Sequence, residues 1–145
     1  MIASYANSAY CVARIRHEGQ KDLAGEDYFG HLCRVAARVP GDKEKAVAYL
    51  HDILEDSKFT GITEADLRKF FPKDITDAVV AITRRVDEEY SDYIRRLKTN
   101  PMARAVKIAD LIDNSNLGRL KTVTLKAVQR QRKYNNALEE LLKEE

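Results

Sequence analysis

Residues 42–56 read Asp42-Lys43-Glu44-Lys45-Ala46-Val47-Ala48-Tyr49-Leu50-His51-Asp52-Ile53-Leu54-Glu55-Asp56, and this stretch decides the fold. Its apolar positions Ala46, Val47, Leu50, Ile53 and Leu54 recur at three- and four-residue steps, the spacing that gathers side chains on one face of an α-helix. Asp42 suits the N-cap, where a short acidic side chain accepts hydrogen bonds from the first-turn amides. The spacing predicts one helix from Asp42 to about Asp56. On such a helix His51 lies near Glu55, and Asp52 near both Glu55 and Asp56. Three carboxylates and an imidazole then crowd one side of a helix whose other side is core. Like charges that close repel, and burying them is costly unless something neutralises them. A divalent cation would do so. A solvated acidic face with one histidine would produce the same pattern, and an adjacent His-Asp pair alone does not separate the two.

Helical spacing recurs outward from this segment, and strand-like alternation is nearly absent. A first helix is expected from about Ser4 to Arg16, with Tyr5, Ala9 and Val12 on its stripe, followed by a loop from His17 to Asp27. A second runs from Tyr28 to just before Pro40, burying Leu32, Val35, Ala36 and Val39. Thr63-Glu64-Ala65-Asp66 resembles a capping box with Asp in place of the usual Glu. Pro72 and Asp74 open a further helix carrying Ile75, Val79, Ile82 and Val86, and Ser91 caps a short one through Leu97. Asn100-Pro101 opens another, with Met102, Val106, Ala109 and Ile112. A last helix from about Thr124 to Glu144 buries Val128, Tyr134, Leu138, Leu141 and Leu142. The expectation is an all-α fold: a single compact bundle of seven to eight helices over residues 1–145. Its core spans about residues 4–120, and its C-terminal helix about 124–144. That charge-rich last helix is the part expected to fray or to meet a second copy in a homo-oligomer.

Composition narrows the function. The chain has 145 residues, 44% of them apolar and 33% charged, as in an ordinary globular protein. No apolar run approaches the roughly 20 residues of a membrane helix. The N-terminal segment is broken by Ser4, Asn7, Ser8 and Arg14 and lacks an export signal, so cytoplasmic residence is expected. A net charge of +2, from 25 basic and 23 acidic residues, carries no nucleic-acid footprint. Cys11 and Cys33 form no CxxC pair and are expected as reduced, small core residues.

Two further segments carry polar insertions in apolar surroundings. In Val106-Lys107-Ile108-Ala109-Asp110-Leu111-Ile112-Asp113-Asn114, the side chains of Lys107, Asp110 and Asn114 share a helix face. That row would serve as a structural ion pair, or as a metal ligand flanked by a phosphate contact and a hydrogen-bonding residue. His31 opens the second helix in Tyr28-Phe29-Gly30-His31-Leu32. Two imidazoles and two carboxylates, His31, His51, Asp52 and Asp110, form a donor set for a divalent first-row metal. The mixed set leaves room for water or substrate oxygens, unlike a closed tetrahedral zinc site.

The order His31, then His51-Asp52, then Asp110 resembles the pattern of the HD phosphohydrolases. His17-Glu18-Gly19-Gln20, Gly25-Glu26-Asp27-Tyr28, Leu50 to Asp56, and Val106 to Leu111 with Asn114 are together similar to the hydrolase domain of RelA/SpoT-type alarmone hydrolases. These enzymes remove the 3′-pyrophosphate of (p)ppGpp with manganese. The resemblance covers roughly Tyr10 to Leu120. It implies that His31, His51, Asp52 and Asp110 hold Mn²⁺, that Glu55 and Asp56 orient and activate the attacking water, and that Asn114 contacts a nucleotide substrate. His17 is given a supporting, packing role. Lys107, Arg84 and Arg119 are further candidates for phosphate contact. One departure stands out: Asp22 and Leu23 occupy positions where the family usually carries Arg-Lys to hold the nucleotide. The chain has no synthetase or regulatory region, so a stand-alone hydrolase is expected. Competing readings are an HD nucleotidase acting on nucleoside monophosphates, and a non-catalytic HD domain that binds a nucleotide or a partner.

Overall fold

In the computed structural model, which describes residues 4–144, helices follow one another through short turns. Residues 1–3 and 145 of the expected domain lie outside the described residues. The elements are α1 (Tyr5–Arg16), α2 (Tyr28–Ala37), α3 (Asp42–Leu50), α4 (Ser57–Thr60), α5 (Glu64–Phe70), α6 (Lys73–Ile82), α7 (Tyr90–Lys98), α8 (Pro101–Asn114), a 3₁₀ turn (Leu117–Arg119) and α9 (Leu125–Leu142). Among the described residues there is no strand. A lone antiparallel bridge between Lys21 and Asp27 closes the loop after α1. No described helix is long and apolar enough to cross a membrane.

Among the described residues nine α-helices stand where at most eight were expected, because the helix expected over residues 42–56 stops at Leu50 and restarts as the single turn α4. The cause is local. In a continuous helix the Ala48 carbonyl would accept from the amide four residues on; here it accepts from Nδ1 of His51 at 2.6 Å. A side chain that takes a backbone acceptor competes with the helix for it. Residues 51–56 then pass through tight turns, with the Ile53 amide on the Leu50 carbonyl at 3.0 Å and the Asp56 amide on the Asp52 carbonyl at 2.9 Å.

Several caps form as the sequence indicates. Thr63 and Asp66 make a reciprocal capping box for α5. The side chains of Asn100 and Thr124 accept from the Ala103 and Ala127 amides, each at 3.1 Å. Asp42 behaves differently: Gly41 is the N-cap of α3, and the Asp42 carboxylate instead accepts from the Tyr5 and Ala6 amides at 3.0 and 3.1 Å. It neutralises the first turn of α1, where free amides attract an anion. Ser91 does not cap α7, which begins one residue earlier behind Glu89.

The core centres on α3, which packs against α1, α2, α6 and α8. Ala46, Val47, Ala48 and Leu50 are fully buried. Some expected core positions face solvent. Val86 lies past the end of α6, and Tyr5, Ile112, Val128 and Leu142 sit beside their helices' buried stripes. The α8 stripe runs through Ala103, Val106 and Leu111, and that of α9 through Ala127, Ala137 and Leu141. Cys11 and Cys33 are free thiols but not core residues: Cys11 is exposed and Cys33 half-buried. Enclosure of α3 on four sides puts the residue that caps its C-terminus, His51, at the middle of the bundle, beside α2 and α8.

Leu50→Ala should lower unfolding free energy by about 2–5 kcal/mol in chemical denaturation, the range for deleting a fully buried leucine side chain. Glu88 offers a pH test. It accepts from Arg96 at 2.8 and 3.0 Å and from the Arg85 amide at 3.0 Å. Arg96 above all holds its carboxyl down to about 2, from an ordinary 4.5. A depressed folded-state pKa contributes stability that is present above the unfolded value and lost as pH falls through the folded one. Glu88→Gln should therefore be less stable than the parent near neutrality, with the gap closing between about pH 4.5 and 2; urea titrations across that window measure it.

Candidate metal centre

Three separate segments converge on one point. His31 comes from the second turn of α2, His51 and Asp52 from the end of α3, and Asp110 from the middle of α8. Each offers one ligand atom, and all four atoms lie within 4.8 Å of one another. His31, His51 and Asp110 are buried, and Asp52 is half-buried. Oδ1 of Asp110 lies 2.9 Å from His31 Nε2 and 3.1 Å from His51 Nε2, and Asp52 Oδ2 lies 3.1 Å from His51 Nε2.

The outer ring nitrogens decide what the inner ones can do. Nδ1 of His51 faces the Ala48 carbonyl, which can only accept, so Nδ1 carries a proton. Nδ1 of His31 faces the Asp113 carboxylate at 2.7 Å in the same way. A neutral imidazole protonated at Nδ1 has its lone pair on Nε2. Both Nε2 atoms point into the cluster, at carboxylate oxygens that also carry lone pairs. That arrangement is stable only with a positive charge among the four, either protons on the rings or a cation.

The titration behaviour agrees. Burial pushes both histidines down. The Asp110 and Asp113 hydrogen bonds outweigh it for His31, and the Asp52 and Asp110 charges outweigh it for His51, so both end above the ordinary value. Burial pushes Asp110 up, but the charges of Lys107 and His51 hold it well below the carboxylate range. The donor set thus fits a divalent cation: two imidazole nitrogens with lone pairs turned inward and two ionised carboxylates.

Further residues brace the cluster. Lys107 Nζ donates to Asp110 Oδ2 at 2.9 Å and lies 5.3 Å from the Tyr93 ring centre. Asn114 donates to Asp110 Oδ1 at 3.1 Å. The Tyr28 hydroxyl donates to Asp52. Glu55 and Asp56 reach the rim through the turns rather than along a helix face. Glu55 accepts from the Arg84 amide at 2.8 Å. Burial raises its carboxyl, and the Asp52 charge adds to this against the Arg84 amide. Burial likewise raises Asp56, which accepts from Gln20 Nε2 at 3.0 Å. Gln20 is held in turn by His17 Nδ1 at 2.7 Å, so the buried His17 acts on Asp56 through Gln20.

Of the guanidinium candidates, Arg84 reaches the Glu88 carbonyl and the Tyr90 ring, and Arg119 reaches Asp22 and Asp113. Neither touches the four clustered residues, although Arg119 stands in the wall of the cavity beside them. A cavity of about 280 Å³ adjoins the centre, lined in part by Tyr28, Asn114, Arg130 and Tyr134. Asp22 and Leu23 stand in its wall. Sequence reasoning gave no role to Tyr28, Gln20, Arg34 or Asp113. A signal existed for two of them: Arg34 follows His31 by three residues and Asp113 follows Asp110 by three, placing each on its ligand's helix face.

No protein-family model matches the chain. Over 76 residues it is 42% identical to a probable guanosine-3′,5′-bis(diphosphate) 3′-pyrophosphohydrolase of Mycoplasma pneumoniae, covering 50% of this chain and 10% of that protein. Over 80 residues it is 38% identical to the bifunctional (p)ppGpp synthase/hydrolase SpoT of Escherichia coli K12, covering 52% and 11%. The chain thus spans about a tenth of the length of these relatives. Its fold is similar to a solved structure described as a metazoan ortholog of SpoT that hydrolyzes ppGpp. The TM-score is 0.76 at 21% identity, over 99% of this chain and 88% of that one. The resemblance to RelA/SpoT-type hydrolases therefore holds in sequence over about half the chain and in all-α fold over nearly all of it.

A cation that binds only the folded state stabilises it by mass action, by about 2.7 kcal/mol at a hundredfold excess over Kd. Divalent cation should raise the thermal midpoint, chelator should reverse the rise, and His51→Ala should show none; a thermal-shift titration checks this.

Proposed function

We propose that this chain is a metal-dependent phosphohydrolase that removes the 3′-pyrophosphate of a (p)ppGpp-type nucleotide, with Mn²⁺ as the cation and His31, His51, Asp52 and Asp110 as its ligands. The observation that carries the reading is the convergence of those four ligand atoms within 4.8 Å; that Glu55 and Asp56 feel the charges of Asp52 and His51 supports their role beside it. The names of the relatives support the substrate class. We read the protein as a cytoplasmic enzyme, and the exposed Leu125, Val128 and Leu142 of α9 support contact with a second copy there.

A divalent cation in the centre lowers the pKa of a water and polarises phosphoryl oxygens. The chain supplies the rest. Glu55 accepts the proton of the attacking water, and its raised carboxyl suits a base working closer to neutrality than an ordinary glutamate does. Asp56, held by Gln20, keeps that water in line. Lys107 and Asn114 fix Asp110 so that its Oδ1 stays turned to the histidines. Asn114 also lines the adjoining cavity and is placed to touch the nucleotide, and the cavity wall carries the cations Lys21, Arg119 and Arg130; Lys107, paired with Asp110, is read as a phosphate contact from the side of the centre.

Phosphate and pyrophosphate release with Mn²⁺ from ppGpp and from nucleoside mono- and triphosphates tests the proposal. Pyrophosphate from ppGpp is expected. Glu55→Ala should keep the cation and lose about 10²–10⁴-fold in kcat, the usual contribution of a general base. Asp52→Ala should lose both. Orthophosphate from nucleoside monophosphates would replace the reading with a nucleotidase.

A further inference from the structure

Asp113 touches no expected substrate position, yet it is buried and engaged by one imidazole and two guanidinium groups. Its Oδ2 meets His31 Nδ1 at 2.7 Å. Arg34 donates Nε to Oδ1 at 2.7 Å and a second nitrogen to Oδ2 at 3.2 Å, while Arg119 reaches Oδ2 at 3.4 Å. The guanidinium of Arg34, always charged and donating to both oxygens, pairs the carboxyl in its ionised form. We infer that Asp113, clamped by Arg34 and Arg119, is a positioning residue that sets the tautomer of His31 and so the cation affinity of the cluster. This rests on the metal-centre reading above.

The geometry leaves little freedom. An ionised carboxylate has no proton to give, so the 2.7 Å bond runs from Nδ1–H of His31, and Nε2 is left as the nitrogen whose lone pair would meet a cation. Arg34 and Arg119 can only donate, so the carboxylate cannot turn its charge elsewhere. The chain of contacts has an outer end. Arg119 also meets Asp22 Oδ2 at 3.4 Å, and Asp22 Oδ1 is pinned by the Ala24 and Glu26 amides at 2.9 and 3.0 Å. Asp22 therefore serves as the counter-charge that holds Arg119 over Asp113. An arginine at that position would repel Arg119.

The test is Asp113→Asn. Arg34 keeps the amide oxygen on its own side, so the amide NH₂ turns to His31 Nδ1, which must then accept, and the ring proton moves to Nε2. Two measurements read this. In metal-free protein, ¹⁵N NMR of the imidazoles should show His31 Nδ1 protonated in the parent and bare in the variant. Calorimetric titration with Mn²⁺ should show affinity falling roughly 10- to 100-fold, as for other residues that orient a metal-bound histidine. Arg34→Gln separates orientation from structural support: it breaks the same ion pair but leaves the carboxylate on His31, and should retain most of the affinity. A bare Nδ1 in the parent would overturn the inference. So would undiminished Mn²⁺ affinity in Asp113→Asn, or an equal loss in Arg34→Gln. A parent that binds no Mn²⁺ would sink the metal-centre reading, and the parent's Nδ1 signal would still decide the role of Asp113.

Discussion

The bond from His51 Nδ1 to the Ala48 carbonyl governs the centre of this molecule. It takes the acceptor that would have carried α3 onward, so the helix ends at Leu50. It fixes the proton on the outer nitrogen, so the inner nitrogen faces the carboxylates. It also releases residues 51–56 into tight turns, which carry Glu55 and Asp56 to the rim. One hydrogen bond therefore connects secondary structure, protonation and site geometry. A histidine at this place in an unbroken helix would have left its ring nitrogens unassigned and the three acidic residues stacked along a helix face.

Charge balance is the second constraint. Asp52 and Asp110 sit against two imidazoles in the interior, with Lys107 as a permanent neighbouring cation. Such a group is costly to bury unless its charges are paired and its hydrogen bonds made. Here they are made in layers. Asn114 and Lys107 hold Asp110, Tyr28 holds Asp52, Asp113 holds His31, and Gln20 with His17 holds Asp56. The inner layer stays open toward a cation because the outer layer has taken the other lone pairs and protons.

Much of this was legible in the sequence, and the gaps have physical reasons. The periodicity of Ala46, Val47, Leu50 and Ile53 disclosed an enclosed helix, and Asn100-Pro101 and Thr63 to Asp66 disclosed helix starts, because these signals depend on neighbours within four residues. The convergence of His31, His51, Asp52 and Asp110 was legible through their residue types and order. The break after Leu50 was not, since it depends on a side chain reaching back to its own helix. Nor was the carboxylate that Asp42, 37 residues on from Tyr5, adds to the Ser4 cap of α1. The three-residue spacing put Arg34 and Asp113 on the faces of His31 and Asp110, but their pairing with each other forms only where α2 and α8 face each other.

The separation of the ligands along the chain has a kinetic side. His31 and Asp110 lie 79 residues apart, and His51 and Asp110 lie 59 apart. An unfolded chain would have to close both loops to offer the same donors, at an entropic cost that grows with loop length. A cation seated here is thus a removable cross-link between the two halves of the bundle. Contacts that are absent from the folding transition state act on unfolding rather than on folding. The chain's resistance to proteolysis would then follow the supply of free cation around it, whether or not any substrate is present.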